Sequence, residues 1–312
     1  MPQKVIIDTD PGVDDAMAIF FALRSPELDV IGLTTVFGNV HTDLATFNAL
    51  RLLEIAGRTD IPVARGSDNP LTRPFKGPVP LVHGDDGQGN VHLPPPTTKR
   101  ISGSAAKFFI DQARKYPGEI TLVAIGPLTN LALALRMDPN IMQQVKEVVL
   151  MGGNALVPGN ATPAAESNIH NDPEAADLVF SAHWPVTMVG LDVTHTVNMT
   201  PEHLDQYARA DNPMAQHITR IVPHYRRYFE NAYHIQGIYV HDSSAIAYVI
   251  DPSLFEVKQW PICVETMGIS RGKTWPGIGE RSMAPWNERH PVNVCVKVDA
   301  EKMLELELSR MT

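Results

Sequence analysis

Only two cysteines, Cys263 and Cys295, occur among 312 residues, too few for a disulfide framework. No apolar run approaches the ~20 residues that a membrane-spanning helix needs. No charged start followed by an apolar stretch marks the N-terminus as a secretory signal, so a cytoplasmic protein is the expectation. Basic residues are in deficit: 26 Lys and Arg face 35 Asp and Glu, a net charge of −9, which argues against a nucleic-acid backbone as partner. Linkers, repeats and low-complexity tracts are lacking too. With 44% hydrophobic residues, the chain reads as a single domain over residues 1–312 with a substantial core.

What is present is an alternation. Strand-like runs at 5–8, 29–37, 61–64, 120–125, 146–151 and 185–191 are separated by helix-patterned segments such as 43–56 and 172–182. This order predicts an α/β fold, an open, mostly parallel twisted sheet flanked by helices with a Rossmann-like core. Ligands in such sheets gather at the carboxyl ends of the strands. Two stretches break the pattern. Residues 66–103 form a long Pro- and Gly-rich loop around His83-Gly84-Asp85-Asp86-Gly87, expected to be a flap over the site. Residues 271–291, with Trp275 and Trp286, read as an exposed hairpin or an oligomer contact.

The densest chemistry lies at the first strand and the turn after it. Val5-Ile6-Ile7 leads into Asp8, Pro11-Gly12 ends the strand, and Asp14-Asp15-Ala16-Met17 begins a helix. Strand, turn and helix bring Asp10 close to Asp14 and Asp15. Like charges about 4 Å apart repel by roughly 4 kcal/mol per pair at an effective dielectric near 20, and a helix N-terminus offsets only ~1 kcal/mol of that. Helix caps and solvated first-turn charges would explain one such Asp, not three behind a hydrophobic strand. An all-oxygen ligand set points to a hard divalent cation, Ca²⁺ or Mg²⁺. It is not an EF-hand, because Gly12 falls where that loop needs a ligand and no Glu closes it.

The stretch Asp8-Thr9-Asp10-Pro11-Gly12-Val13-Asp14-Asp15-Ala16 resembles the signature of the nucleoside hydrolases of the inosine-uridine-preferring type. Further landmarks follow in family order: Val36-Phe37-Gly38-Asn39-Val40, Val82-His83-Gly84, Ile125-Gly126-Pro127-Leu128-Thr129-Asn130, Val149-Leu150-Met151-Gly152-Gly153, Ala165-Glu166-Ser167-Asn168-Ile169, Asp172-Pro173-Glu174, Gly190-Leu191-Asp192-Val193-Thr194 and Val240-His241-Asp242. Beyond Asp242 the match is loose.

The resemblance implies hydrolysis of the N-glycosidic bond of a ribonucleoside to free base and ribose, in nucleoside salvage. Such a reaction passes through an oxocarbenium-like transition state, so the site must grip the ribose hydroxyls and supply an activated water. Ca²⁺ serves both needs. By resemblance its ligands are Asp10, Asp15, Asp242 and the main-chain carbonyl of Ile125, where relatives carry Thr; Asp14 is left as general base. Asn39, Met151, Asn160, Glu166 and Asn168 are the expected substrate contacts, amides and a carboxylate suiting a polyhydroxylated ligand. Ser167 stands where many relatives have Phe. His241 is the expected acid for the leaving base, because an ordinary imidazole titrates near neutrality. His83 resembles a flap histidine that closes near the base, although Asp85-Asp86 replaces the usual Glu-Ser. Tyr233 lies where base-facing residues are expected, on a helix whose aromatic stripe also suits core packing. The resemblance further implies a homodimer or homotetramer.

Two other readings compete. Asp8-Thr9-Asp10 after a hydrophobic strand is also the outline of a HAD-type aspartyl phosphatase with Asp8 as nucleophile and Mg²⁺ nearby. A nonenzymatic nucleoside or ribose binder would keep the same pocket.

Overall fold

A computed structural model describes residues 1–279 and 283–312. Eleven strands are β1 (Gln3–Thr9), β2 (Leu28–Thr35), β3 (Val63–Arg65), β4 (Ile120–Ala124), β5 (Glu147–Met151), β6 (Val186–Val189), β7 (Asn198–Met199), β8 (Ile238–Tyr239), β9 (Phe255–Val264), β10 (Thr274–Pro276) and β11 (Pro291–Val298). Among the described residues the α-helices are α1 (Val13–Arg24), α2 (Thr42–Ile55), α3 (Pro80–His83), α4 (Ala105–Lys115), α5 (Thr129–Met137), α6 (Ser167–Asn171), α7 (Pro173–Ser181), α8 (Leu191–Thr194), α9 (Pro201–Arg209), α10 (Pro213–Tyr233), α11 (His241–Ile250) and α12 (Ala300–Met311).

Nine strands form one sheet in the order β10-β9-β11-β6-β5-β4-β1-β2-β3. The run from β3 to β6 is parallel, and so is the β6–β11 pair; β9 and β10 join antiparallel at one edge. The expected mostly parallel α/β sheet is therefore the fold observed. Alternate side chains of the central strands feed two separate cores, as the two-residue strand period requires. Val5, Ile7, Val123, Val149 and Val189 pack under α1, α10, α11 and α12. Ile6, Leu122, Ala124, Val148, Leu150 and Met188 pack under α4, α5 and α7. Helix α1 is buried from Val13 to Ala22, so it is apolar on every side after its acidic first turn.

The differences from the sequence expectation are local. The second run ends at Thr35, because Val36 and Phe37 enter a turn at Gly38. The last run is cut to Val186–Val189, because Gly190 caps α8. Strands β7, β8, β9, β10 and β11 were outside the expected set. Residues 271–291 do include half of a hairpin, β10 against β9, but they also reach inward: Lys273 Nζ donates to the carbonyl of Asn154 at 2.6 Å and Thr274 Oγ1 accepts from Asn154 N at 2.8 Å. Residues 280–282 of that segment lie outside the described residues. No helix among the described residues is long and apolar enough to cross a membrane.

One buried carboxyl stands apart from the site. Glu307 of α12 accepts the Tyr207 hydroxyl at 2.8 Å, and burial pushes its pKa up to about 7. Folded protein holds this proton where unfolded chain, with an ordinary Glu, gives it up, so stability falls as pH rises from about 4.5 through about 7. Glu307→Gln keeps an acceptor for Tyr207 and places an uncharged amide beside Ser243. It is expected to raise unfolding free energy at pH 8 by up to about 3 kcal/mol and to change little at pH 5. Urea titrations at the two pH values check this; equal effects at both would refute it.

Candidate active site

The carboxyl ends of β1, β2, β4 and β5 converge where the parallel strands hand over to turns, and the acidic turn sits in their midst. Asp8, the last but one residue of β1, points into the sheet's packing rather than toward that turn's carboxylates. Its Oδ1 accepts Thr34 Oγ1 at 2.6 Å and Asn130 Nδ2 at 2.9 Å, and burial raises its pKa to about 7. These ties fasten β1 to β2 and to α5.

Asp15 fixes the turn. Its Oδ1 accepts Thr9 Oγ1 at 2.5 Å and Asp10 N at 3.2 Å, while Oδ2 accepts Gly12 N and Asn39 Nδ2, both at 2.9 Å. Asp10 Oδ2 accepts Asn39 N at 2.6 Å, but Oδ1 is buried without a partner. Gly38 and Gly126 wall this carboxyl: a Cβ on Gly38 would strike Oδ2, and one on Gly126 would meet Oδ1 at 2.6 Å. Gly38 also has a positive φ of 156°. Asp14 Oδ2 accepts the Tyr225 hydroxyl at 3.0 Å from α10, and Oδ1 is again unpartnered. Asp242, second residue of α11, completes the group: Asp14, Asp15 and Asp242 each offer a carboxylate oxygen within 4.8 Å of the others.

All four acids are buried. Burial raises Asp14 and Asp15 to about 6 and lifts Asp10 and Asp242 well above the usual range, with repulsion among the four adding to the rise in Asp10, Asp15 and Asp242. Among the described residues their one basic neighbour is His83, with Nδ1 3.8 Å from Asp14 Oδ1. Desolvation lowers His83 to about 4, so it is neutral at pH 7 and supplies no counter-charge. Clustered buried carboxylates with unused oxygens, and no lysine or arginine among them, fit a hard cation. The Ile125 carbonyl accepts Asn168 Nδ2 at 3.0 Å and retains a second lone pair.

The other expected residues surround this cluster. Asn168 Nδ2 spans the ends of β4 and β5, reaching the carbonyls of Ile125 and of Met151 at 3.1 Å. Glu166 caps α6, its oxygens accepting N–H groups of Gly153, Asn168 and Ile169 at 2.9, 2.8 and 3.1 Å. Asn160 Oδ1 accepts Ser167 N at 3.0 Å. Both side chains therefore hold the loop after β5 in shape. His83 Nδ1 accepts Val13 N at 3.2 Å and its ring stacks on Tyr225, 5.4 Å between centroids. The loop 66–103 around it is pinned to the acidic turn: Gln88 Nε2 donates to Gly12 O at 2.8 Å, and Asn48 Nδ2 bridges the carbonyls of Pro11 and Asp86.

On the far side of the cluster, His241 sits among rings. Phe229, Tyr239 and His195 lie 6.3, 5.9 and 5.4 Å from it between centroids, and Tyr233 joins them through His195 and Tyr239. Burial, with His195 and His83 adding to it, pushes His241 down to about 3. Desolvation thus works against the near-neutral titration expected of an ordinary imidazole. Tyr225, Tyr239 and His195 were not among the expected site residues. Tyr225 had a signal, the four-residue spacing Tyr225, Phe229, Tyr233 on one face of α10.

Comparison with known proteins agrees with this geometry. The profile described as inosine-uridine preferring nucleoside hydrolase matches residues 5–305. The chain is 48% identical over 313 residues to a probable uridine nucleosidase 2 of Arabidopsis thaliana, covering 99% of this chain and 97% of that one. A solved plant nucleoside hydrolase superposes with a TM-score of 0.97 at 43% identity, covering 100% and 99% of the two chains. A purine-preferring ribonucleoside hydrolase from Gardnerella vaginalis gives 0.93 at 34%, covering 99% and 98%. With a family profile spanning nearly its whole length and relatives this similar end to end, the chain belongs to the inosine-uridine preferring nucleoside hydrolases.

Proposed function

We propose that this protein is a Ca²⁺-dependent ribonucleoside hydrolase that releases free base and ribose, with uridine among its substrates. The observation that carries the reading is the buried group of Asp14, Asp15 and Asp242, with carboxylate oxygens within 4.8 Å of one another and no cationic side chain to balance them among the described residues. The name of the Arabidopsis thaliana relative, a probable uridine nucleosidase, supports uridine. Asp8, with Oδ1 hydrogen-bonded to Thr34 and Asn130, gives no support to a phosphatase nucleophile.

Asp10, Asp15, Asp242 and the Ile125 carbonyl would hold the ion. When bound, Ca²⁺ supplies the positive charge that grips the ribose hydroxyls and makes an attacking water more acidic. Asp14 is the base: Tyr225 occupies and orients Oδ2, leaving Oδ1 to take the proton of the water. The water oxygen bonds to the anomeric carbon as the bond to the base nitrogen breaks. Asn39 and Asn168 are ribose contacts, with Met151, Asn160 and Glu166 shaping the same wall. His241, Tyr233 and His83 flank the base, and His241 stabilises the charge that develops on it. Residues 1–312 act as one domain, in a homodimer or homotetramer, in cytoplasmic nucleoside salvage.

Release of ribose and base from uridine, cytidine, inosine and adenosine, with added Ca²⁺ and after exhaustive EDTA treatment, tests the reading. Turnover of uridine that EDTA lowers at least about a hundredfold and Ca²⁺ restores is expected. Ribose affinity without turnover would leave a binder instead.

A further inference from the structure

An imidazole with a single ring proton carries it on one nitrogen or the other. Which nitrogen carries it decides whether the ring can donate to a departing base, and the partner of the other nitrogen sets that choice. Here the partner is Thr194, whose Oγ1 lies 2.8 Å from His241 Nδ1.

Either atom of that pair could be the donor, so the question is where the threonine proton goes. Thr194 is fully buried, and a buried hydroxyl proton without an acceptor is costly. Helical threonines usually donate to a carbonyl one turn back, as Thr46 does to Thr42 O at 2.7 Å and Thr219 to Ala215 O at 3.0 Å. Thr194 Oγ1 makes no such bond; among the described residues its one partner is His241 Nδ1. The hydroxyl therefore spends its proton on Nδ1, which must present a lone pair. Nε2 then bears the ring proton, with no hydrogen-bond partner among the described residues and with Phe229, Tyr239 and His195 around the ring.

We propose that Thr194 is a positioning residue that holds His241 with a proton on Nε2, so that Nε2–H faces the leaving base as donor. The inference rests on the proposed role of His241. Short helix α8 gives the lock its rigidity: Gly190 caps it, Thr194 N donates to Gly190 O at 3.1 Å, and Asp192 ties it to the loop after β5 through Ala155 N and Leu156 N, both at 2.7 Å.

Two measurements test it. In the unmodified enzyme with Ca²⁺, ¹⁵N spectra of the histidine side chains should show His241 with a bare Nδ1 and a protonated Nε2; the reverse tautomer overturns the proposal. Thr194→Val removes the donor at nearly constant volume. It should lower kcat/KM on uridine about tenfold or more, the usual worth of a buried hydrogen bond, while changing a nitrophenyl riboside, whose leaving group needs no help, less than about threefold. Thr194→Ser should restore uridine turnover. Equal losses on both substrates, or no rescue by serine, would make Thr194 merely structural. If His241→Ala fails to separate the two substrates, the role of His241 falls, while the nitrogen spectrum still decides the tautomer.

Discussion

Asp242→Asn is expected to abolish turnover and at the same time raise the melting temperature of the chelated protein. Two opposite effects follow from one carboxylate. Asp242 is buried beside Asp14, Asp15, Asp10 and Glu166, all of which drive its pKa upward after burial itself. At about 4 Å and an effective dielectric near 20, each such pair costs about 4 kcal/mol when both members are charged. Partial protonation already relieves much of this, so the amide should recover a few kcal/mol at pH 8 rather than the full sum. The same substitution removes a charged oxygen from the ligands proposed for the cation. Ca²⁺ affinity should drop at least about a hundredfold and ribose release about a thousandfold. Calorimetric Ca²⁺ titration, thermal unfolding in EDTA and a uridine assay read the three quantities. A variant that melts lower in EDTA and binds Ca²⁺ normally would show that Asp242 is ordinary core.

His241→Ala should divide substrates by leaving group. On uridine we expect a loss of about 10² to 10⁴ in kcat/KM, the range for removing help to a poor leaving group. On a nitrophenyl riboside, whose phenolate departs unaided, the loss should stay within about tenfold. The contrast matters more than either number, because a mere collapse of the pocket would harm both. In the proposed arrangement Nε2–H is the group that would serve the departing base. Parallel losses would return His241 to the aromatic packing formed by Phe229, Tyr239 and His195.

Much of this architecture was legible in the chain because its strands obey simple rules. Val5-Ile6-Ile7 and Val148-Val149-Leu150 are unbroken apolar runs, as strands buried on both faces must be, and the turn residues Pro11-Gly12 end the first of them. The strands beyond β6 in the sheet escaped for the converse reason. In β9 the sequence Glu256-Val257-Lys258-Gln259-Trp260-Pro261 mixes charge, amide and proline, and its burial is only partial. In the site, the clustered Asp residues announced themselves by repulsion alone. Tyr225 showed only a helical spacing that suits core packing equally well, since its ring is buried and only its hydroxyl reaches Asp14. The pKa of His241 was equally hidden: it depends on rings contributed from α10 and from the stretch ahead of α11, which no local pattern of sequence brings together.

The order of strands has a consequence for how the molecule comes into being. β1 is made first yet ends up between β4 and β2, and its acidic turn meets Asp242 only after more than two hundred further residues have been synthesised. A nascent chain emerging from the ribosome can pair β1 with β2 early, but it carries an unfinished cage, and such long-range closures come late in folding. The proposed cation would therefore have its full set of ligands only once α11 has docked against α1. Metal capture would then act as a late checkpoint, rewarding completed chains and leaving truncated ones with an unbalanced knot of negative charge.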